Sequence, residues 1–355
     1  MLSVIIATKD RSEALRTVSL PSLTRQDSAD FEVIVWDASG DEASQRVVEG
    51  FAAVHPDVKV RYCKAQRVGS ASQRNDAARG AEGDVLFFID DDSEVSPAGI
   101  GVLAEAFATD ADLVGAALPL RHEGTAPPLE PSLLRSLFSL IEHLYLGLFL
   151  LRPWGSDPKV LVTACSSLRP DRPGPAFQFV GCDMAFRREV FESHHFLEEM
   201  QRFSNYAYLE DMQLSYGLHQ EGKKLCILDK GQVIHRPPAM ARLASESLRC
   251  SMSIYNRYLI WKTTIWPYNR LSVLPYLWSL LGELGLNFMR FGHRPIRRIG
   301  YWVEAPRALF AIASDIARST VIRRGQSEQT KVKPLIADDS MGPDASKRLP
   351  RQRVD

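Results

Sequence analysis

The stretch that most constrains this chain is Gly83-Asp84-Val85-Leu86-Phe87-Phe88-Ile89-Asp90-Asp91-Asp92-Ser93-Glu94-Val95. Five apolar residues follow one another without alternation, which predicts a strand buried on both faces, and the abrupt acids predict that it ends at the rim of a sheet. Three clustered carboxylates repel one another unless solvated or held by a cation, and an all-oxygen set suits magnesium or manganese better than zinc. Alternate side chains of an extended segment share a face, which puts Asp90 and Asp92 together and Asp91 opposite. A simple acidic turn capping a helix over residues 98–108 accounts for the same letters equally well. The rest of the chain has to decide between them.

Upstream, the chain repeats a strand-then-helix rhythm: strand 2–7 and helix 12–19, strand 32–36 and helix 42–53, strand 59–62 and helix 69–79. Such alternation predicts an α/β fold with a mostly parallel sheet flanked by helices, in which ligands bind beyond the carboxyl ends of the strands. The unusual polar residues all fall at those ends: Thr8 and Arg11, then Asp37, then Arg74 and Asn75, then Asp90 to Asp92. Capping explains any one of them, but four strand ends furnished alike point to a ligand. Asp37 can accept from a nucleobase ring N–H, Arg11 and Arg74 can hold phosphate or base oxygens, and a cation on the aspartates can neutralise a diphosphate. A nucleoside diphosphate answers this set. No GxGxxG follows the first strand and no GxxxxGK[ST] occurs, which disfavours a dinucleotide cofactor and a P-loop ATPase.

Ser3-Val4-Ile5-Ile6-Ala7-Thr8-Lys9-Asp10-Arg11, Val35-Trp36-Asp37-Ala38-Ser39, the run from Arg74 to Asp84, and Phe88-Ile89-Asp90-Asp91-Asp92 resemble the nucleotide-binding half of family 2 glycosyltransferases with the GT-A fold. Gly181-Cys182-Asp183 and the residues to Phe191 resemble the family's acceptor-side segment, Leu209-Glu210-Asp211 its Glu-Asp helix, and Val233-Ile234-His235 the strand whose histidine completes a metal site. The resemblance implies a nucleotide-diphosphate sugar held by Thr8, Arg11, Asp37, Arg74 and Asp90. It implies Mn2+ or Mg2+ on Asp90, Asp92 and His235, and an acceptor side with Gly181, Asp183 and Glu210. Asp211, at the start of a helical stretch over 212–220, is the candidate base: one carboxylate taking the acceptor proton while the diphosphate leaves opposite gives inversion. An acid favoured by the helix dipole is the plain alternative for Asp211, and a structural strand-end residue the one for His235. His194 to Glu199 replaces the family's usual glycine-rich turn, and the absence of QxxRW favours transfer of one sugar or very few.

Net charge is zero, with 43 basic and 43 acidic side chains, so nothing suggests a nucleic-acid partner. Five scattered cysteines without a CxxC pair suggest neither disulfides nor a zinc knuckle and fit a reducing compartment. The N-terminus reads as a strand that starts at once, so a cytoplasmic protein is expected. The apolar run 133–151 carries Glu142 and His143 at its centre, and reads as a packed helix beside the acceptor groove sooner than a lipid-facing one. A second apolar run, 271–289, has Ser279, Glu283 and Asn287 as a polar stripe, followed by eight arginines against Glu304 and Asp315 up to Arg324. An amphipathic helix on an anionic membrane, at the inner face of the cell membrane, is one reading of this pair; a hairpin packed on the catalytic domain is the other.

The expected organisation is a catalytic domain over 1–245, split into a nucleotide and metal half (1–125) and an acceptor half (126–245). A helical, basic appendage over 246–324 and a disordered tail over 325–355 follow. The expected activity is metal-dependent inverting transfer onto a glycan or polyprenyl-linked acceptor in cell-surface polysaccharide assembly. A soluble acceptor, a sugar-1-phosphate nucleotidyltransferase and a non-catalytic sugar-nucleotide binder are the alternatives. Thr8-Lys9-Asp10-Arg11 is not the glycine-rich loop that the nucleotidyltransferase requires.

Overall fold

A computed structural model describes residues 1–28, 30–123, 133–155, 157–237, 246–291 and 303–319. The chain divides into one unit spanning Met1–Phe310 and a second spanning Ala311–Asp355, of which 311–319 are described and helical. The expected tail 325–355 and the expected domain boundary at 245 lie outside the described residues.

The strands in chain order are β1 Leu2–Thr8, β2 Phe31–Asp37, β3 Lys59–Lys64, β4 Val85–Ile89, β5 Ser93–Val95, β6 Leu113–Ala117, β7 Leu120–His122, β8 Lys159–Val160, β9 Ser166–Ser167, β10 Gly174–Pro175, β11 Asp183–Arg187, β12 Lys224–Ile227 and β13 Val233–His235. Eight of them form the central sheet in the order β10-β12-β6-β11-β4-β1-β2-β3. The half built from β1 to β4 is parallel, as the strand–helix rhythm predicts. Every residue of β4 is buried, in keeping with its unbroken apolar run. Between β4 and β6 the strand β11 runs antiparallel to both, so it enters the sheet at the rim where β4 leaves it. Register then fixes the site: Thr8 lies beside Asp37, and Asp183 beside Ile89, which brings Gly181 and Cys182 to the level of the aspartates. A smaller sheet, β5-β13-β7, carries His235 opposite Ser93 and beside His122.

Helices Ser70–Gly80, Gly99–Thr109 and Glu210–Gln220 follow within a residue or two of where the pattern predicts them. Helix Glu246–Ile260 is stitched to the catalytic half by Asn256, fully buried, whose amide donates to Met200 O at 2.9 Å and Tyr208 O at 2.7 Å. Its neighbour is helix Val273–Phe291, and here the polar stripe faces inward. Arg257 donates through Nε to Glu283 at 2.8 Å, and through a terminal nitrogen to Ser279 at 2.7 Å and to Thr163 O at 3.1 Å, with the ring of Tyr276 beneath it. Asn287's side chain lies outside the described residues. Helix Leu133–Leu148 meets Val273–Phe291 along one edge only. There Tyr145 donates to Gly282 O at 2.8 Å and Phe149 stacks on Trp278 at 4.8 Å, an approach that a side chain at position 282 would obstruct. On the other side of helix Leu133–Leu148, Leu137, Leu140, Ile141 and Leu144 are exposed, unlike the packed helix that its apolar sequence predicts. Residues 153–179 hold the short strands β8 to β10 within an otherwise irregular path. No described helix is long and apolar enough to cross a membrane.

Candidate active site

The carboxyl ends of β1, β2 and β4 open on one side of the sheet, and the predicted residues gather there. Thr8, at the end of β1, donates to Asp91 Oδ2 at 2.6 Å. Arg11 reaches over the same rim, with its Nε 3.2 Å from Asp91 Oδ1 and a terminal nitrogen hydrogen-bonded to Asp92. Between them Asp10 takes a left-handed backbone, φ 56°, to turn the chain out of the strand. The aspartate run itself departs from extended alternation. The chain turns at Asp91 and Asp92, so both are buried under Arg11 while Asp90 stays half-exposed toward Arg74. Burial pushes the Asp91 carboxyl up to about 7, against the pull of Arg11 and Thr8. For Asp92 burial acts in the same direction, but His235 and Arg11 outweigh it and hold the carboxyl below its usual range.

Asp37 ends β2 with no exposed surface. Its carboxylate accepts from Ser39 N and Tyr62 OH, both at 2.9 Å, and from the Ser39 hydroxyl. The sequence placed it as a base reader; the structure shows it also organising the β2 turn.

Arg74 ties the two halves of the site together. From helix Ser70–Gly80 its buried guanidinium donates to Asp90 Oδ1 at 2.8 Å, to Gly181 O at 3.0 Å and to Glu210. Glu210 is buried and pushed up to about 8 by that burial, with Arg74 opposing. Next to it Asp211 accepts from Gly181 N at 2.7 Å and from its neighbour's amide, Met212 N, at 2.8 Å. Burial raises Asp211 above the ordinary carboxylate range and those two amides oppose the shift. Leu209, just before the pair, sits in the left-handed region at φ 71°, a conformation costing on the order of 1 kcal/mol for a branched residue that fixes how the helix presents both acids.

His235 completes the rim. Its Nε2 lies 3.1 Å from Asp92 Oδ1, and that oxygen, although buried, makes no hydrogen bond. Burial alone would lower the imidazole; Asp92 beside it raises it. A ligand atom each from Asp90, Cys182 and His235 falls within a 4.8 Å circle. Carboxylate oxygens with one imidazole suit a divalent cation such as Mn2+ or Mg2+, and the buried, unbonded Asp92 oxygen is the kind of donor such an ion satisfies. The Cys182 thiol is pushed well above its usual range by burial and by the acids around it.

Sequence reasoning missed two of these residues. Cys182 stands among scattered cysteines and reaches the rim only through the pairing of β11 with β4. His122 is 113 residues from His235, yet their Nδ1 atoms are 3.1 Å apart. For His235 to offer Nε2 to an ion, its Nδ1 must carry the ring proton, and His122 Nδ1, on a ring whose proton affinity is lowered by burial and by His235, is placed to accept it. The sheet also turns one residue away from its expected place: Asp183 is buried and accepts from Leu118 N at 3.2 Å. Its other oxygen makes no hydrogen bond and lines a small cavity with Gln178, and burial pushes the carboxyl up to about 8.

The model of glycosyl transferase family 2 matches residues 3–194. An uncharacterized glycosyltransferase from Haemophilus influenzae is 38% identical over 97 residues, which are 27% of this chain and 31% of that relative. Among solved structures, S. aureus TarS 1-349 in complex with UDP-GlcNAc is similar with a TM-score of 0.52 at 17% identity, over 86% of this chain and 81% of that one. GalNAc-T7, solved with UDP, GalNAc and Mn2+, is similar with a TM-score of 0.54 at 15% identity, over 75% of this chain and 49% of that one. At such identities the likeness is one of fold, and it is the GT-A arrangement that the strand order shows. The matched stretch takes in all the donor-side strand ends and stops short of Glu210, Asp211 and His235. On that match, which covers more than half of its length, the chain belongs to glycosyl transferase family 2.

Proposed function

We propose that this chain is a glycosyltransferase that moves a single sugar from a nucleotide diphosphate to a lipid-linked or glycan acceptor, with inversion, at a membrane surface in the assembly of a cell-surface polysaccharide. One observation carries the reading: Arg74 joins Asp90 on the donor rim to Glu210, beside Asp211, on the acceptor side. Thr8, Arg11, Asp37 and Arg74 line the side where the nucleotide and its phosphates would lie. The ligands of the two similar structures, UDP-GlcNAc and UDP with Mn2+, support that assignment. A divalent cation, Mn2+ or Mg2+, on Asp90, Asp92 and His235 would supply Lewis-acid stabilisation of the departing diphosphate.

Asp211 does the work of the base. Its two backbone hydrogen bonds fix the carboxylate's orientation, and its burial raises its affinity for a proton. The acceptor hydroxyl gives its proton to Asp211 as its oxygen bonds to the anomeric carbon. On the opposite face the bond from that carbon to the diphosphate breaks, and the electron pair leaves with the phosphate. One displacement inverts the centre.

A thermal-shift panel of UDP, GDP, dTDP, CDP and ATP, with and without Mn2+, tests the donor side. One diphosphate should stabilise the wild type in a metal-dependent manner, and Asp92→Ala should abolish the effect. No shift from any nucleotide in the presence of metal would sink the reading. On the acceptor side, Asp211→Asn should keep the nucleotide shift and lose about 10²–10⁴-fold in transfer rate.

A further inference from the structure

Two helices that the sequence separates by more than a hundred residues turn the same kind of face outward. On helix Leu133–Leu148 the residues Leu137, Leu140, Ile141 and Leu144 are 51–55% exposed. On helix Val273–Phe291 the residues Leu274, Leu277, Trp278 and Leu281 are 44–70% exposed. Each set is spaced i, i+3, i+4, i+7, the stripe that a soluble helix buries. Here the stripes face away from the protein, and on helix Val273–Phe291 the inward face is polar. Ser279 and Glu283 lie on the far side of their helix, bound to Arg257.

Water would be a poor neighbour for eight such side chains, so something covers them. The polar groups at the face show what. Trp278 Nε1 donates to Leu148 O at 2.8 Å, Tyr145 donates to Gly282 O at 2.8 Å, and His143 Nδ1 lies 2.7 Å from Ser139 O. Each is bonded to backbone of this chain, and His143 Nε2 also meets Arg152 at 2.9 Å, so these groups are satisfied within the chain, which is the condition hydrocarbon imposes. Glu142 and His143 stand off the stripe by about 100° and about 60° on either side, at 100° per residue. From Leu271 to Leu281 there is no charged residue, while the sequence from Leu286 to Arg324 carries a net excess of six positive charges suited to anionic headgroups. Since no described helix can span, the pair lies in the interface.

We infer that helices Leu133–Leu148 and Val273–Phe291 form one joint face that inserts into the outer part of an anionic lipid leaflet, the two leucine stripes entering together. This deepens the membrane-surface reading proposed above and rests on it for the acceptor, because it commits the first helix, and not only the arginine-rich second, to lipid.

Flotation of the full chain with vesicles of phosphatidylethanolamine and phosphatidylglycerol tests it. Leu140→Glu with Leu144→Glu on the first helix, and separately Leu277→Glu with Leu281→Glu on the second, should each lower vesicle partition at least about tenfold. Both variants should keep the nucleotide-dependent thermal shift, which shows that they fold. In the wild type, brominated lipids should quench tryptophan emission, and Trp278→Phe should remove a large part of that quenching. The inference is overturned if the first-helix variant binds vesicles like the wild type, if the wild type does not bind them, or if it is a dimer in light scattering that either variant dissociates. Vesicle binding without any nucleotide shift would instead leave this face standing and remove the donor site.

Discussion

Arg74 is a buried cation asked to serve three oxygens at once, and the identity of its partners sets what single substitutions should do. Around it Glu210 is buried while Asp90 and Asp211 are half-buried, so each one's protonation is a question of what stands beside it. His122 has a role of this kind at one remove. By accepting from His235 Nδ1, 3.1 Å away, it would hold Nε2 ready for an ion; His122→Leu should weaken Mn2+ binding about 10–100-fold in calorimetry while leaving metal-free nucleotide binding unchanged. Asp183 makes a different prediction. Its folded carboxyl is raised to about 8 from an unfolded value near 3.8, so the native state keeps a proton that the unfolded chain gives up. Stability is therefore fully present below the unfolded value and falls as pH rises through that window. Asp183→Asn, which keeps an acceptor for Leu118 N, should flatten the slope and raise the melting temperature at pH 8, by about 2–4 °C for each kcal/mol recovered. Thr8, Arg11, Asp37 and the aspartates could be placed at the rim from the sequence because each ends or closely follows a strand whose pattern is unmistakable, and Arg74 because its helix follows such a strand. Cys182 and His122 could not, since only strand register brings them to the rim.

At the level of elements, periodicity told which residues of 271–289 share a face but not which face the protein covers. Ser279 and Glu283 recur every fourth residue, and a solvent-facing polar stripe is the ordinary meaning of that spacing. Arg257, 26 residues before Glu283 on the preceding long helix, reverses it by drawing both inward. A buried pair of this sort gains its stability from being complete. Arg257→Met alone leaves Glu283 charged and buried and should cost about 3–5 kcal/mol in urea unfolding; adding Glu283→Leu should recover most of that loss. The same helix geometry explains why the apolar run 133–151 reads as a packed helix from its letters. Tyr145 and Phe149 do pack, on Gly282 and Trp278, and their neighbours a third of a turn away do not.

For the whole molecule, the alternation of strands and helices was enough to predict a parallel α/β half and to locate its ligand edge. It could not predict that β11 would enter antiparallel between β4 and β6, because that pairing joins segments about a hundred residues apart and leaves no local trace. Asn256 joins the last part of the structure to the first. Its two hydrogen bonds hold Met200 and Tyr208, on the stretch that leads into Glu210 and Asp211, to the helix that also carries Arg257 and through it the outward leucines. With those leucines seated in a leaflet, the Asp211 carboxylate would stand at a set height above the bilayer, and the fold would become a ruler. An acceptor would then be chosen by the altitude of its reactive hydroxyl as well as by its shape. Lengthening the glycan between lipid and hydroxyl by one sugar would carry that hydroxyl past the mark.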